Sequence, residues 1–330
     1  MKKHYKIVID TKGADKGAEM VVKGACDALA TYPNLEVLLV GDADYILSEC
    51  KKHEAPLDRI EVLDAPSEIT NYDSPAAALF EKTDSSLVRA LEALAQREDL
   101  FGLICAGSTG ALIAGTMRHL SRVNRVRPAL AAVLPTVTGG FTCLVDTGAT
   151  IDCPAQTLLH FARLGRDFMK NLYRIDEPRV GLLSNGKEET KGNKVVKEAH
   201  QLLKEDEGIN FVGNIEGDIA LSGDCDVLVC DGFAGNQVLK VSEGMAKRII
   251  TDLVRYAKMK GDESIMGAVG YLMGIYDFKS LGGGIILGAD KPVIKAHGAS
   301  NEKTIVSTAG MLLNLAGNKD IFDSSKMVIR

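Results

Sequence analysis

The chain has 330 residues, 46% of them apolar and 25% charged, with 39 Lys and Arg against 44 Asp and Glu for a formal net charge of −5. This ordinary globular composition excludes a disordered, collagen-like or disulfide-scaffold chain, admits one large α/β unit or two domains, and argues against a general nucleic-acid binder. There are 33 Gly and no Trp; a Gly share above the usual value of about 7% without excess Pro suggests many tight strand-to-helix turns of the kind that approach phosphates.

In chain order, MKKHYKIVID carries two lysines but only a short apolar run before Asp10, so it reads as a first strand (5–10) and not as a signal peptide. The loop after it, Asp10-Thr11-Lys12-Gly13-Ala14-Asp15, offers Lys12 either as an anion ligand or as a solvated loop residue. Further strands are expected at 35–41, 59–65, 101–107, 142–148, 179–185, 210–214, 226–232 and 291–298. They are rich in Val, Ile and Leu and nearly continuous, which suits strands covered on both faces. Helical patterns fall between them, as at 188–204, where Val195, Ala199, Leu202 and Leu203 share a stripe. This alternation predicts an α/β fold with a mostly parallel sheet, whose ligands bind at the carboxyl ends of the strands.

With that first loop, three further turns at strand ends carry the chemical signal. Gly107-Ser108-Thr109-Gly110 follows FGLICA and opens a helix, which makes it either an anion site of backbone amides and hydroxyls or a tight turn with a capping Ser or Thr. Asp231-Gly232-Phe233-Ala234-Gly235-Asn236 follows DVLVC, and Asp231 there is either a ligand contact or a helix cap. His297-Gly298-Ala299-Ser300-Asn301 follows PVIKA, and a His in that place donates to phosphate, acts in acid–base chemistry or is simply structural.

Four arginines, Arg118, Arg122, Arg125 and Arg127, lie within ten residues. They are either solvated charge or a contact for an acidic partner. Over 243–275 an amphipathic segment is followed, after GDES, by one that is apolar nearly all round. We read a helical hairpin projecting from the sheet. Either it is a core or dimer helix pair, or its tip at Ile265, Met266, Val269, Tyr271, Leu272 and Met273 meets a membrane surface. No stretch reaches 18 apolar residues, and the expected location is the cytoplasm. The seven cysteines include no C-x-x-C pair or zinc spacing, so buried small hydrophobes are expected and no metal or cofactor is. The P-loop, the G-x-G-x-x-G dinucleotide fingerprint and the G-x-S-x-G hydrolase elbow are missing.

Taken together the blocks IDTKGAD (9–15), DSPAAAL (73–79), CAGSTGAL (105–112), LVDTGATIDC (144–153), PRVGLLSNGKEETKGN (178–193), DVLVCDGFAGNQVLK (226–240) and IKAHGASNEKTI (294–305) resemble, in order and over nearly the whole chain, the PlsX family of phosphate acyltransferases. The resemblance implies a Rossmann-like three-layer α/β sandwich related to phosphotransacetylase and isocitrate dehydrogenase-like folds, as a single domain with a helical hairpin at about 243–276. It implies a homodimer without cofactor that transfers a fatty acyl group from acyl carrier protein to inorganic phosphate for phospholipid synthesis, with peripheral membrane contact through the hairpin. Within that frame, loop position and residue type assign phosphate or oxyanion contact to Gly107, Ser108, Thr109 and Gly110, and substrate positioning to Asp231, Asn236, His297, Ser300 and Asn301. Of these, His297, Thr109, Asp231 and Asn236 are the candidates for direct catalysis. Asn185, Lys187, Lys191 and Asn193 follow as phosphate or pantetheine contacts, and Arg118, Arg122, Arg125 and Arg127 as carrier-protein contacts. The chain departs from the family pattern at Thr11, Lys12, Ala14, Cys105 and Ser108, and Phe80, Glu81, Lys82 and Thr83 replace a basic run. These departures keep open a short acyl thioester donor, such as coenzyme A or an enzyme-bound acetyl group, and a non-catalytic membrane-associated scaffold.

Overall fold

The computed structural model describes residues 4–122, 126–261, 263–276 and 283–317. They form two compact units, one holding the described residues up to Leu130, Lys170–Ile175 and those from 283 onward, the other holding Ala131–Met169 and those from Asp176 to Tyr276.

The first unit begins with β1 (Tyr5–Asp10), α1 (Gly17–Thr31), β2 (Leu35–Gly41), α2 (Ala43–Lys52) and β3 (Ile60–Asp64). It continues with α3 (Pro75–Glu81), α4 (Ser86–Gln96), β4 (Leu100–Cys105) and α5 (Thr109–His119). β1 and β2 are apolar because both faces are covered: Ile7, Val8, Ile9 and Val37–Val40 are fully buried. Asp42 begins α2 by accepting a hydrogen bond from the Tyr45 amide at 2.9 Å. β4 ends at Cys105, two residues before the expected limit, because Ala106 and Gly107 already turn toward α5.

The second unit contains β5 (Ala129–Pro135) from Ala131 onward, β6 (Phe141–Val145), α6 (Ala155–Tyr173) as far as Met169, β7 (Arg179–Leu183) and α7 (Lys194–Glu205). β8 (Asn210–Ile215), β9 (Val227–Val229), α8 (Gly232–Lys260) and α9 (Glu263–Ile275) complete it. Its strands run in the order β5-β6-β9-β7-β8, parallel except for the antiparallel β5–β6 pair. α7 starts six residues later than its periodicity suggested, because Gly192 holds φ +94° and Asn193 caps the helix instead. α8 runs unbroken from Gly232 to Lys260, so the expected helix at 243 is the continuation of the one opened by Asp231. Gly261, at φ +64°, ends it in the left-handed conformation that a side chain would strain. α9 then packs against α8, and only its Val269 is buried.

The chain returns to the first unit as β10 (Gly284–Leu287), β11 (Val293–Lys295) and α10 (Glu302–Ala316). Strand order there is β3-β2-β1-β4-β11-β10, parallel except for β10–β11. α10 lies against α1, and α4 and α10 both pack on β1 and β4. β5 and β10 were not expected: ALAAVLP is Ala-rich, and GIIL is only four residues long. All seven cysteines are buried and reduced, as small hydrophobes should be.

Candidate active site

In the first unit, β1, β4 and β11 are neighbours, and each ends in a glycine-bearing turn. Asp10, Cys105 and Lys295 pair in register at the carboxyl ends of these strands, so a carboxyl, a thiol and an ammonium group stand in one row. All three are at most 9% exposed. The Cys105 thiol donates to Asp10 Oδ2 at 3.3 Å and its sulfur accepts the Gly107 N–H at 3.3 Å. Asp10 Oδ1 accepts the Lys12 N–H at 3.2 Å. Lys295 Nζ donates to the Ala106 carbonyl at 3.3 Å and also to the Ala296 carbonyl. Burial raises the Asp10 carboxyl to about 6, against the pull of hydrogen bonds from Ser86, Lys12 and Cys105. Burial, with the Asp10 charge, also pushes the Cys105 thiol well up, so it remains a neutral donor.

The three turns touch. Gly13, at φ +82°, comes so close to the second turn that a Cβ there would lie 2.6 Å from Gly107 Cα. The Asp15 N–H donates to the Gly298 carbonyl at 3.0 Å. Lys12 reaches away from this cluster, donating through Nζ to the Pro66 carbonyl at 2.6 Å. Ser108 stands at the N-cap of α5, yet its side chain makes no capping hydrogen bond. The first amides of α5, including those of Thr109 and Gly110, therefore have no intrahelical acceptor. The Gly107 N–H, by contrast, is turned inward onto Cys105.

At the third turn, His297 Nδ1 accepts the Ala299 N–H at 3.1 Å, which places the proton of the neutral ring on Nε2. The ring is exposed, whereas the Ser300 hydroxyl is fully buried and without a hydrogen-bond partner among the described residues. Such a group costs about 1–3 kcal/mol if nothing satisfies it, which marks it as a donor awaiting an acceptor. Asn301 is committed locally, forming a capping box with Thr304 at the start of α10.

The second unit has its own set of strand-end loops. Asp146 follows β6, is fully buried, and accepts the Gly148, Ala149 and Thr150 amides at 3.2, 3.0 and 2.6 Å. That loop is tied to α8 by the Gly232 N–H donating to the Thr150 carbonyl at 2.7 Å. Asp231 caps α8 through the Ala234 amide at 2.7 Å, and Asn236 lies half-buried in the first turn of the helix. Asn193 caps α7 through the Val196 amide at 2.9 Å, and Asn185 Oδ1 closes the loop before it by accepting the Gly192 N–H at 2.8 Å. Lys187 and Lys191 are exposed on that loop.

Of the four arginines, Arg118 lies 3.7 Å over the Phe80 ring and donates to the Leu79 carbonyl at 3.0 Å, so α3 holds it in place. Arg122 and Arg127 are exposed, and Arg125 lies outside the described residues. Asp10, Lys295 and Asp146 are not among the site residues expected from the sequence. The signal was present in all three cases: an ionisable residue directly after a short apolar run, IVI before Asp10, VI before Lys295 and LV before Asp146.

Residues 5–316 match the family model described as fatty acid synthesis protein. The phosphate acyltransferase of Clostridium novyi (strain NT) is 39% identical over 323 residues, covering 95% of both chains. That of Clostridium botulinum (strain Alaska E43 / Type E3) is 41% identical over 305 residues, covering 90% of this chain and 91% of the relative. Among solved structures, a phosphotransacetylase from Streptococcus pyogenes superposes with a TM-score of 0.65 over 96% of this chain and 95% of its own, at 17% identity. A branched-chain phosphotransacylase from Enterococcus faecalis V583 gives 0.60 over 95% and 99%, at 13% identity. These two similarities establish the Rossmann-like α/β fold.

Proposed function

The chain belongs to the fatty acid synthesis protein family and is an acyltransferase, and from that premise we propose that it moves a fatty acyl group from the thioester of acyl carrier protein to inorganic phosphate, releasing an acyl phosphate for phospholipid synthesis. The observation that carries the assignment to a place is the start of α5: amides with no intrahelical acceptor, beside a Ser108 that does not cap them.

Phosphate is itself the nucleophile, so the reaction needs no protein nucleophile. A phosphate oxygen attacks the thioester carbonyl, the new C–O bond forms, and the carbonyl electrons move onto its oxygen. Collapse of that oxyanion breaks the C–S bond and expels the carrier thiolate, a fair leaving group that makes little demand on acid catalysis. What the protein supplies is alignment of a dianion with the carbonyl and donors for the oxyanion, each donor being worth about 3–4 kcal/mol in a preorganised site. Thr109 and Gly110 contribute amides, Ser108 and Thr109 hydroxyls. The His297 Nε2–H and the Ser300 hydroxyl are donors of the third turn. Gly107 acts through the close passage of the first loop, since its own N–H is engaged. Lys187 and Lys191 suit the phosphate of the pantetheine arm, and Arg122 and Arg127 the acidic surface of the carrier. Asp231, Asn236, Asn185, Asn193 and Asn301 shape the loops, four of them through the hydrogen bonds described above.

For the protein as a cytoplasmic homodimer we propose the exposed stripe Val241, Met245 and Ile249 of α8 as a helix-pairing face. The exposed Met266, Tyr271 and Met273 of α9 suit peripheral contact with a membrane surface. No helix among the described residues is long and apolar enough to cross a membrane.

Thiol release tests the reaction. Because all seven cysteines are buried, a thiol reagent reports the liberated carrier thiol against a low background. Release that rises with phosphate and saturates supports the reading; release that is indifferent to phosphate overturns it. Coenzyme A thioesters run alongside separate the donors.

A further inference from the structure

The row Asp10–Cys105–Lys295 is not consumed by the reaction just described, yet it lies directly under the turns that the reaction uses. Two strand spacings separate Asp10 from Lys295, about 10 Å between Cα atoms, with the Cys105 side chain between them. Burying an ammonium and a carboxyl group at strand ends is costly unless each is paired or hydrogen-bonded. Here both are bonded to the turns themselves. Lys295 holds the carbonyls of Ala106 and Ala296, the residues that enter the second and third turns. Asp10 takes the Lys12 amide of the first turn and the Cys105 thiol, whose sulfur takes the Gly107 amide of the second. One run of buried polar groups thus fixes all three turns.

Geometry alone makes both residues structural; charge separates their effects. An ammonium that grips the carbonyls entering the second and third turns adds positive potential beneath them, which favours an anion above. A carboxylate in the same row acts with the opposite sign, while its hydrogen bonds keep the first loop in place.

We propose that Lys295 and Asp10 are positioning residues of opposite electrostatic sign: Lys295 joins the second and third turns and draws the phosphate onto them, and Asp10 moderates that attraction while it anchors the first turn. This rests on the reading of these turns as the phosphate site. Moderation has a use in a reversible anion site, since an acyl phosphate product carrying the same phosphoryl group must leave.

The test is steady-state kinetics of thiol release, at pH 7.5, for wild type, Lys295→Met, Lys295→Arg and Asp10→Asn, with thermal unfolding of each. Asn preserves the size of Asp10 and the Oδ1 acceptor for the Lys12 amide, so that variant removes the charge together with the single acceptor for the Cys105 thiol. We expect Lys295→Met to raise the KM for phosphate about tenfold with the KM for the acyl donor within about twofold, and Lys295→Arg to recover part of the loss. Asp10→Asn is expected to lower the phosphate KM about threefold. A purely structural role would shift both variants the same way, toward weaker phosphate binding. A phosphate KM that is unchanged in Lys295→Met, or raised in Asp10→Asn, overturns the proposal. If Lys295→Met does not fold, the sign of the Asp10→Asn effect decides alone. A wild type whose release does not depend on phosphate overturns the phosphate site itself, and the proposal with it.

Discussion

At Asp10, burial and hydrogen bonding are opposed, and burial prevails: the carboxyl titrates at about 6 against an ordinary 3.8. The groups around it are Ser86 from α4, Lys12 and Glu68 from loops, Cys105 from β4, and Lys295 further along the row. Because folding raises this pKa, the folded state holds its proton more tightly than the unfolded chain does. The group's contribution is therefore favourable at low pH and is lost as pH rises from about 4 through 6. Above that window, the buried carboxylate costs on the order of 3 kcal/mol. Asp10→Asn should raise the unfolding temperature at pH 7.5, with the gain vanishing near pH 4; equal melting temperatures at pH 7.5 would contradict the burial argument. Thr109→Ala and His297→Ala belong to the same scale. Each should lower kcat by about tenfold or more at an unchanged melting temperature, because each removes a donor and no core contact. Wild-type turnover in either removes that residue from the site. The sequence showed which residue types stand at the strand ends. It did not show their duties: Asp231, Asn193 and Asn301 offer the same chemistry to a helix amide as to a ligand, and only geometry reveals that the amide has it.

Between elements, the close passage of the first two turns is the feature most exposed to mutation. Gly13 has both a positive φ and a neighbour in the way, whereas Gly139, at φ +84°, has open space around its Cβ position. Gly139→Ala should cost about 1 kcal/mol, for backbone strain alone. Gly13→Ala should cost about 2–4 kcal/mol and weaken phosphate binding as well. Denaturant titration of the two variants compares them directly, and equal losses would show that the turns do not crowd. For the α8–α9 pair, Tyr271→Glu with Met273→Glu should reduce co-sedimentation with anionic vesicles severalfold, by placing charge on an exposed apolar face. Unchanged sedimentation would leave that face to protein packing. Strands with continuous Val, Ile and Leu between turn signals were legible at this scale. β5 and β10 were not, because one is Ala-rich and the other too short to show a period. α8 was legible only in part: Asp231 was legible as a helix start and 243 as the start of an amphipathic helix, but not that the two belong to one continuous helix.

Over the whole chain, ordered blocks said more than any single motif. G-S-T-G alone is equally a turn, but seven such blocks in sequence pointed to one family, to which the chain belongs. What the blocks could not convey is how they meet in three dimensions, since Asp10 and Lys295 are 285 residues apart and are brought into one row only by β4 between them. The high glycine content fits this arrangement of touching turns at the strand ends. The central claim is that phosphate attacks the acyl thioester on this protein. Its most direct test is to incubate the protein with phosphate and palmitoyl-acyl carrier protein and trap the product with hydroxylamine. The account predicts palmitoyl hydroxamate in an amount equal to the carrier thiol released, and none when phosphate is left out. Thiol release with free palmitate and no phosphate-dependent hydroxamate would contradict it.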